Sequence, residues 1–197
     1  MRYFREHSRL ISRLLINQVG MTIFGMILTM AVMRSTQNNV TLTVAVSAFS
    51  IVFYLCLIYN VMWEEGARNI IRVKAGRMQR TPCFSLKASL WASVPNFVLA
   101  ALLFVSYLLA FPFGVEVFKS VYGALHIILA LFEAMYVGLF SVILDSFPVL
   151  ATQSLVACGL YALSSLPMIL VSMLAYCFGE KNIYIFGKRS PKKGSDD

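Results

Sequence analysis

The chain has 197 residues, 59% hydrophobic and 13% charged, with a mean hydropathy of +0.75 and a formal net charge of +8. Soluble domains are about a quarter charged, so this composition excludes an ordinary globular domain. Outside its long apolar runs, no stretch is apolar enough to bury a core of its own.

The runs cover residues 10–33, 41–63, 88–111, 119–144 and 155–178. Each exceeds the ~20 residues needed to cross a hydrocarbon layer about 30 Å thick as helix. The predicted fold is an all-α polytopic transmembrane bundle, with residues 1–178 forming a single integral membrane domain. The first run is followed by "RSTQNN" rather than a small-residue cleavage site, so it is expected to stay as a membrane helix. It carries Asn17 and Gln18 near its start. The second run ends with Tyr59 and Asn60, and the third has Asn96 directly after Pro95.

Between the second and third runs lies a basic segment, 64–87. There Ala67, Ile70, Ile71, Ala75 and Met78 recur at near-helical spacing, and Arg68, Arg72, Lys74, Arg77 and Arg80 fill much of the rest. Glu64 can pair with Arg68 one turn on. This reads as a basic amphipathic helix lying on an anionic inner leaflet, where each basic residue contributes about 1 kcal/mol. The sharper reading is a docking surface for a cytoplasmic partner.

The fourth run differs from the others. It carries His126 and Glu133, and it ends at "LDSFP" with Asp145 and Pro148. A carboxylate at the bilayer centre costs about 2.5–3.5 kcal/mol on insertion scales. The fifth run contains Pro167, expected to kink its helix, and 179–197 is a basic tail.

The charges thread the chain. All but Arg34 and Lys119 of the 17 Lys and Arg fall in three places: residues 1–16, the 64–87 segment and the tail. Basic residues flanking membrane helices stay on the cytoplasmic side, which puts the N-terminus and all three segments there. Five full crossings would put the tail outside. The fourth run is therefore expected to be broken or interfacial, turned by Asp145, Ser146 and Pro148, which leaves four firm spans. Five spans with an external tail remain the alternative.

Two constellations carry functional readings. His126 and Glu133 are seven residues apart and share a helix face, as a proton- or cation-handling pair would, although about 10.5 Å along the axis separates them. Asn17, Gln18, Tyr59, Asn60 and Asn96 all fall in the inner half of the bilayer, either as helix glue or as a cytoplasm-facing pocket for a small solute.

No nucleophile, metalloprotease or P-loop motif is present. The four cysteines, Cys56, Cys83, Cys158 and Cys177, lack metal-ligand spacing. No enzyme activity, cofactor or metal is expected. Nor is a nucleic-acid partner, because membrane-flanking charge accounts for the basic balance.

The stretch "WEEGARNIIRVKAGRMQRTPCFSLKASLWASVPN", residues 63–96, resembles a loop-plus-helix of small uncharacterised multi-pass membrane proteins of Gram-positive bacteria. Their pattern has an acidic residue where this chain has Asn69. The resemblance implies a bacterial plasma-membrane protein with nothing catalytic. The expectation is a noncatalytic plasma-membrane protein, a small subunit or accessory protein of a transport-related assembly, with lipid and a larger membrane or cytoplasmic protein as partners. The alternative is a small-solute transporter or substrate-binding transport component.

Overall fold

The structure, a computed structural model, describes residues 2–35, 40–77, 83–145, 147 and 149–183. These form helices and no strands: α1 (Arg2–Ser35), α2 (Val40–Lys74), α3 (Phe84–Ala110), α4 (Glu116–Phe132), α5 (Val137–Asp145), α6 (Leu150–Leu163) and α7 (Ser165–Glu180). Four stretches are long and apolar enough to cross a membrane: Ser8–Val32, Val40–Lys74, Phe84–Ala110 and Ser154–Glu180. The chain is an all-α membrane bundle with four spans and one broken segment.

α1, α2 and α3 run up, down and up, and α6 with α7 makes the last descent. The end of the bundle where α2 stops and α3 begins carries Arg13, Arg68, Arg72 and Lys74, and is called the basic end below. Contacts set the register along α3. Phe84 stacks on Tyr176 at 5.3 Å, Ser93 meets Met168, and Asn96 reaches Ser164 and Ser165. The last span is thus antiparallel to α3 and returns to the basic end.

The fourth apolar run does not cross. α4 descends beside α3, with Tyr122 near the top against Tyr107 and Phe111 and Glu133 at the level of Asn96. At 17 residues α4 is about 25 Å long, and α5 at 9 residues is about 13 Å. Between them, residues 133–136 form a tight turn at mid-height. α5 then climbs back, its Gly138 packed on Thr43 and Ser47 near the start of α2. The deep turn therefore lies at Glu133–Tyr136 and not at Asp145–Pro148, as the sequence reading had it. α5 ends at Asp145 near the upper end, and Ser146 and Pro148 lie outside the described residues.

Non-helical backbone in hydrocarbon must find partners inside the protein. Here Thr22 of α1 donates its hydroxyl to the carbonyl of Phe132 at 2.7 Å, and Ser47 of α2 accepts the N–H of Gly138 at 3.1 Å. Gly25 lets α1 approach the backbone of Ala134 and Met135, where a Cβ would come within 2.9 Å of the Met135 nitrogen. Gly20, earlier on α1, faces open space instead.

α2 continues without a break past Trp63 to Lys74, so the basic stretch is no separate helix lying on a leaflet. Its length follows from α7, which runs parallel to α2 and accompanies it to the basic end. Gly66 packs on the backbone at Tyr176 and Glu180, and Gly179 on the backbone at Trp63 and Ala67. The buried side of this stretch is Gly66 and Asn69, while Ile71, expected on the apolar face, is 66% exposed. Pro167 occupies the third position of α7, where its missing N–H is tolerated. The helix accordingly breaks at Ser164, three residues earlier.

Two measurements check this architecture. Gly66→Val and Gly179→Val each force a side chain into backbone and should cost at least about 2 kcal/mol of stability, read as a lowered melting temperature in detergent, while Gly20→Ala and Gly123→Ala stay near wild type. In a background lacking the native cysteines, Phe113→Cys and Asp145→Cys should react with an impermeant maleimide from the same face of the membrane and Lys74→Cys from the other. Labelling of positions 113 and 145 from opposite faces would mean that α4 and α5 cross.

Candidate functional site

Where the broken segment turns, the bundle encloses a carboxyl group. Glu133 caps α4 and is 2% exposed. Asn96 of α3 and Ser164 at the α6–α7 break are in hydrogen-bonding contact with its carboxyl. Asn96 Nδ2 also donates to Ser165 Oγ at 2.6 Å and to Ser164 Oγ at 3.2 Å, and the Ser164 hydroxyl donates to the Tyr161 carbonyl at 2.7 Å. The ion pairs among the described residues lie elsewhere, as Arg13–Glu64 at 3.6 Å, Arg68–Glu64 at 2.6 Å and Arg72–Glu65 at 3.8 Å.

Local sequence explains each position. Asn96 stands near the middle of the 27-residue α3, twelve residues from one end and fourteen from the other. Pro167 lacks the N–H that would continue the helix, and the resulting break offers the Ser164 and Ser165 hydroxyls to the interior. The stretch "LFEAMY" turns with Glu133 as the last capping residue. Its backbone N–H bonds Leu129 at 2.8 Å, and its carbonyl accepts from Tyr136 at 2.8 Å.

Beside the carboxyl is a cavity of about 10 Å³, lined by Gln18, Tyr54, Glu133, Tyr136, Ser164 and Ser165 with Met135 and Met168. A space of this size holds about one water-sized particle. Among the described residues, Gln18 Oε1 and the Tyr136 hydroxyl are buried without a hydrogen-bond partner, as is Asn96 Oδ1. Gln18 is 5% exposed and Asn96 1%. A low dielectric makes each unsatisfied oxygen costly.

The residues singled out from sequence are only partly brought together. Gln18 and Asn96 join Glu133. Asn17 is half-exposed, Tyr59 half-buried, and Asn60 points out of the bundle, so the five-residue solute pocket is not formed. The reason is angular: neighbours on a helix differ by about 100°, and Gln18 faces inward at the expense of Asn17. Nor do His126 and Glu133 form a pair. His126 packs on the rings of Tyr122 and Tyr161 at 6.0 and 5.6 Å.

Of the basic docking residues, Arg68, Arg72, Lys74 and Arg77 are exposed at the basic end, and Arg80 lies outside the described residues. Arg68 and Arg72 are engaged within α2 by Glu64 and Glu65, with Arg72 also 3.5 Å from Asn69 Oδ1. Sequence reasoning missed Ser164, Ser165, Tyr54 and Tyr136. The signal for the two serines was Pro167, three and two residues downstream. The tyrosines had none, being indistinguishable from core aromatics.

Because Asn96 is buried between the carboxyl and the two serines, Asn96→Ala should lower stability by about 1–3 kcal/mol. Paired with Glu133→Gln in a double-mutant cycle, the two losses should fall short of additivity by more than about 0.5 kcal/mol, measured by thermal unfolding in one detergent. Additive losses would mean that the two groups are not coupled.

Comparison with family models, with curated proteins and with solved structures finds no match to this chain, so its site is read from its own geometry.

Proposed function

We propose that the protein is a noncatalytic component of membrane transport, seated in a bacterial plasma membrane with its basic end in the cytoplasm, and that its working element is the Glu133 site. The observation that carries this reading is a carboxyl buried at mid-height where a re-entrant helix pair turns. Ionisable groups inside a membrane bundle usually mark ion or proton paths. Broken helices near the midplane form the binding sites of many transporters. The cavity accommodates a proton, a water or a small ion and is too small for an organic solute. Orientation follows from the basic residues gathered at one end.

A second reading, a subunit of a larger assembly, has its own support. Between α3 and α6 lies an apolar groove of about 520 Å³, floored by Ala100, Ala101, Gly159 and Ala162 and walled by Phe97 and Phe104. Small residues of this kind let a neighbouring helix approach closely.

Proteoliposomes on a solid-supported membrane test the first reading. A jump in pH or in monovalent cation should give a charge displacement with wild-type protein, reduced at least about tenfold in Glu133→Gln and preserved in Asn60→Leu. Currents indifferent to Glu133 would refute a transport role for the site. Co-purification of one larger membrane protein, lost when Ala101→Phe fills the groove, would favour the subunit reading.

A further inference from the structure

We infer that the Glu133 cavity is a binding site for a dehydrated monovalent cation of sodium size. The inference rests on the proposed role of that site and names its occupant. A carboxylate taken out of water needs a proton or a positive charge beside it, and Glu133 has no basic partner among the described residues. Most of the residues around it bear oxygen. Glu133, Ser164, Ser165, Tyr54, Tyr136 and Gln18 line one cavity of about 10 Å³ together with Met135 and Met168.

The unpartnered oxygens discriminate between the two occupants. A proton on Glu133 would neutralise the carboxyl and supply one O–H, enough for one of the buried oxygens Gln18 Oε1, Asn96 Oδ1 and the Tyr136 hydroxyl and not for all three. A cation in the cavity would be coordinated by the carboxylate and would draw on those same oxygens. Hard oxygen donors without thiolate or imidazole suit an alkali or alkaline-earth ion rather than a transition metal. No group of three His, Cys, Asp or Glu side chains occurs among the described residues. A single carboxylate balances one positive charge, which favours a monovalent ion over calcium or magnesium. The strong local field of a carboxylate favours sodium, the ion of higher charge density, over potassium.

The four spans all contribute. Gln18 comes from α1, Tyr54 from α2, Asn96, in contact with the carboxyl, from α3, and the serines from the break between α6 and α7, while the re-entrant turn supplies Glu133 and Tyr136. Occupancy therefore ties the whole bundle together and stabilises it in proportion to ln(1 + [Na⁺]/Kd).

Thermal unfolding of the full chain in detergent at constant ionic strength reads this directly. Replacing choline chloride by about 100 mM sodium chloride should raise the melting temperature by at least ~3 °C, with potassium giving less than about half that shift. Glu133→Gln should abolish the sodium response, and Gln18→Met, which keeps the carboxylate, should weaken apparent sodium affinity about tenfold or more. Equal melting temperatures in sodium, potassium and choline would overturn the cation site. Such an outcome, combined with a Glu133-dependent charge movement on pH jumps, would mean that the site carries a proton and would leave the transport reading standing. Loss of both responses would refute the two together.

Discussion

Backbone polar groups in hydrocarbon have no water to turn to, and this constraint governs how the bundle is assembled. Four crossings satisfy themselves as helix. The fourth apolar run does not, because it turns back at mid-height and exposes peptide groups at residues 133–136. Thr22 and Ser47, from two different helices, take up the Phe132 carbonyl and the Gly138 amide. Gly25 and Gly138 remove the side chains that would hold those helices away. The turn is thus a product of α1 and α2 as much as of its own residues, and the carboxyl of Glu133 is placed by elements distant in sequence.

A second constraint works at the basic end. The parallel pair α2–α7 is drawn together by two glycines on opposite helices, Gly66 and Gly179, each resting on the other helix's backbone. Association in lipid gains nothing from apolar burial as such, and close approach of this kind supplies the dispersion contacts instead. The same pairing carries α2 beyond the last apolar residues. Trp63 Nε1 donates to the Ile183 carbonyl at 2.8 Å and Asn69 meets the Tyr176 hydroxyl at 3.4 Å. This extended end is where the basic side chains are displayed.

Composition and the distribution of lysine and arginine were enough to read four crossings and to single out the run that does not cross. The depth at which that run turns was not legible. "LFEAMY" has no glycine or proline, and the turn's stability comes from Thr22 and Ser47, whose hydroxyls look like any others in a membrane helix. The continuation of α2 was hidden for a similar reason, since its cause is a glycine more than a hundred residues downstream. Asn96 and Glu133 stood out because polar side chains are scarce in apolar runs. Grouping Asn17 and Asn60 with them failed on helix geometry, which one-dimensional depth along the membrane does not capture.

The α2–α7 contact also sets a timetable for biosynthesis. Gly66 leaves the ribosome 113 residues before Gly179, an interval of roughly 6–23 s at ordinary elongation rates. Throughout that time the α2 face meant for α7 is a bare strip of backbone shielded only by lipid or by the insertion machinery. α1, α2 and α3 can pair as they emerge, but the clasp at the basic end closes only when the last helix arrives. Assembly of this bundle is therefore finished from its C-terminal side, and a nascent chain stalled before Gly179 holds three inserted helices without the contact that locks them.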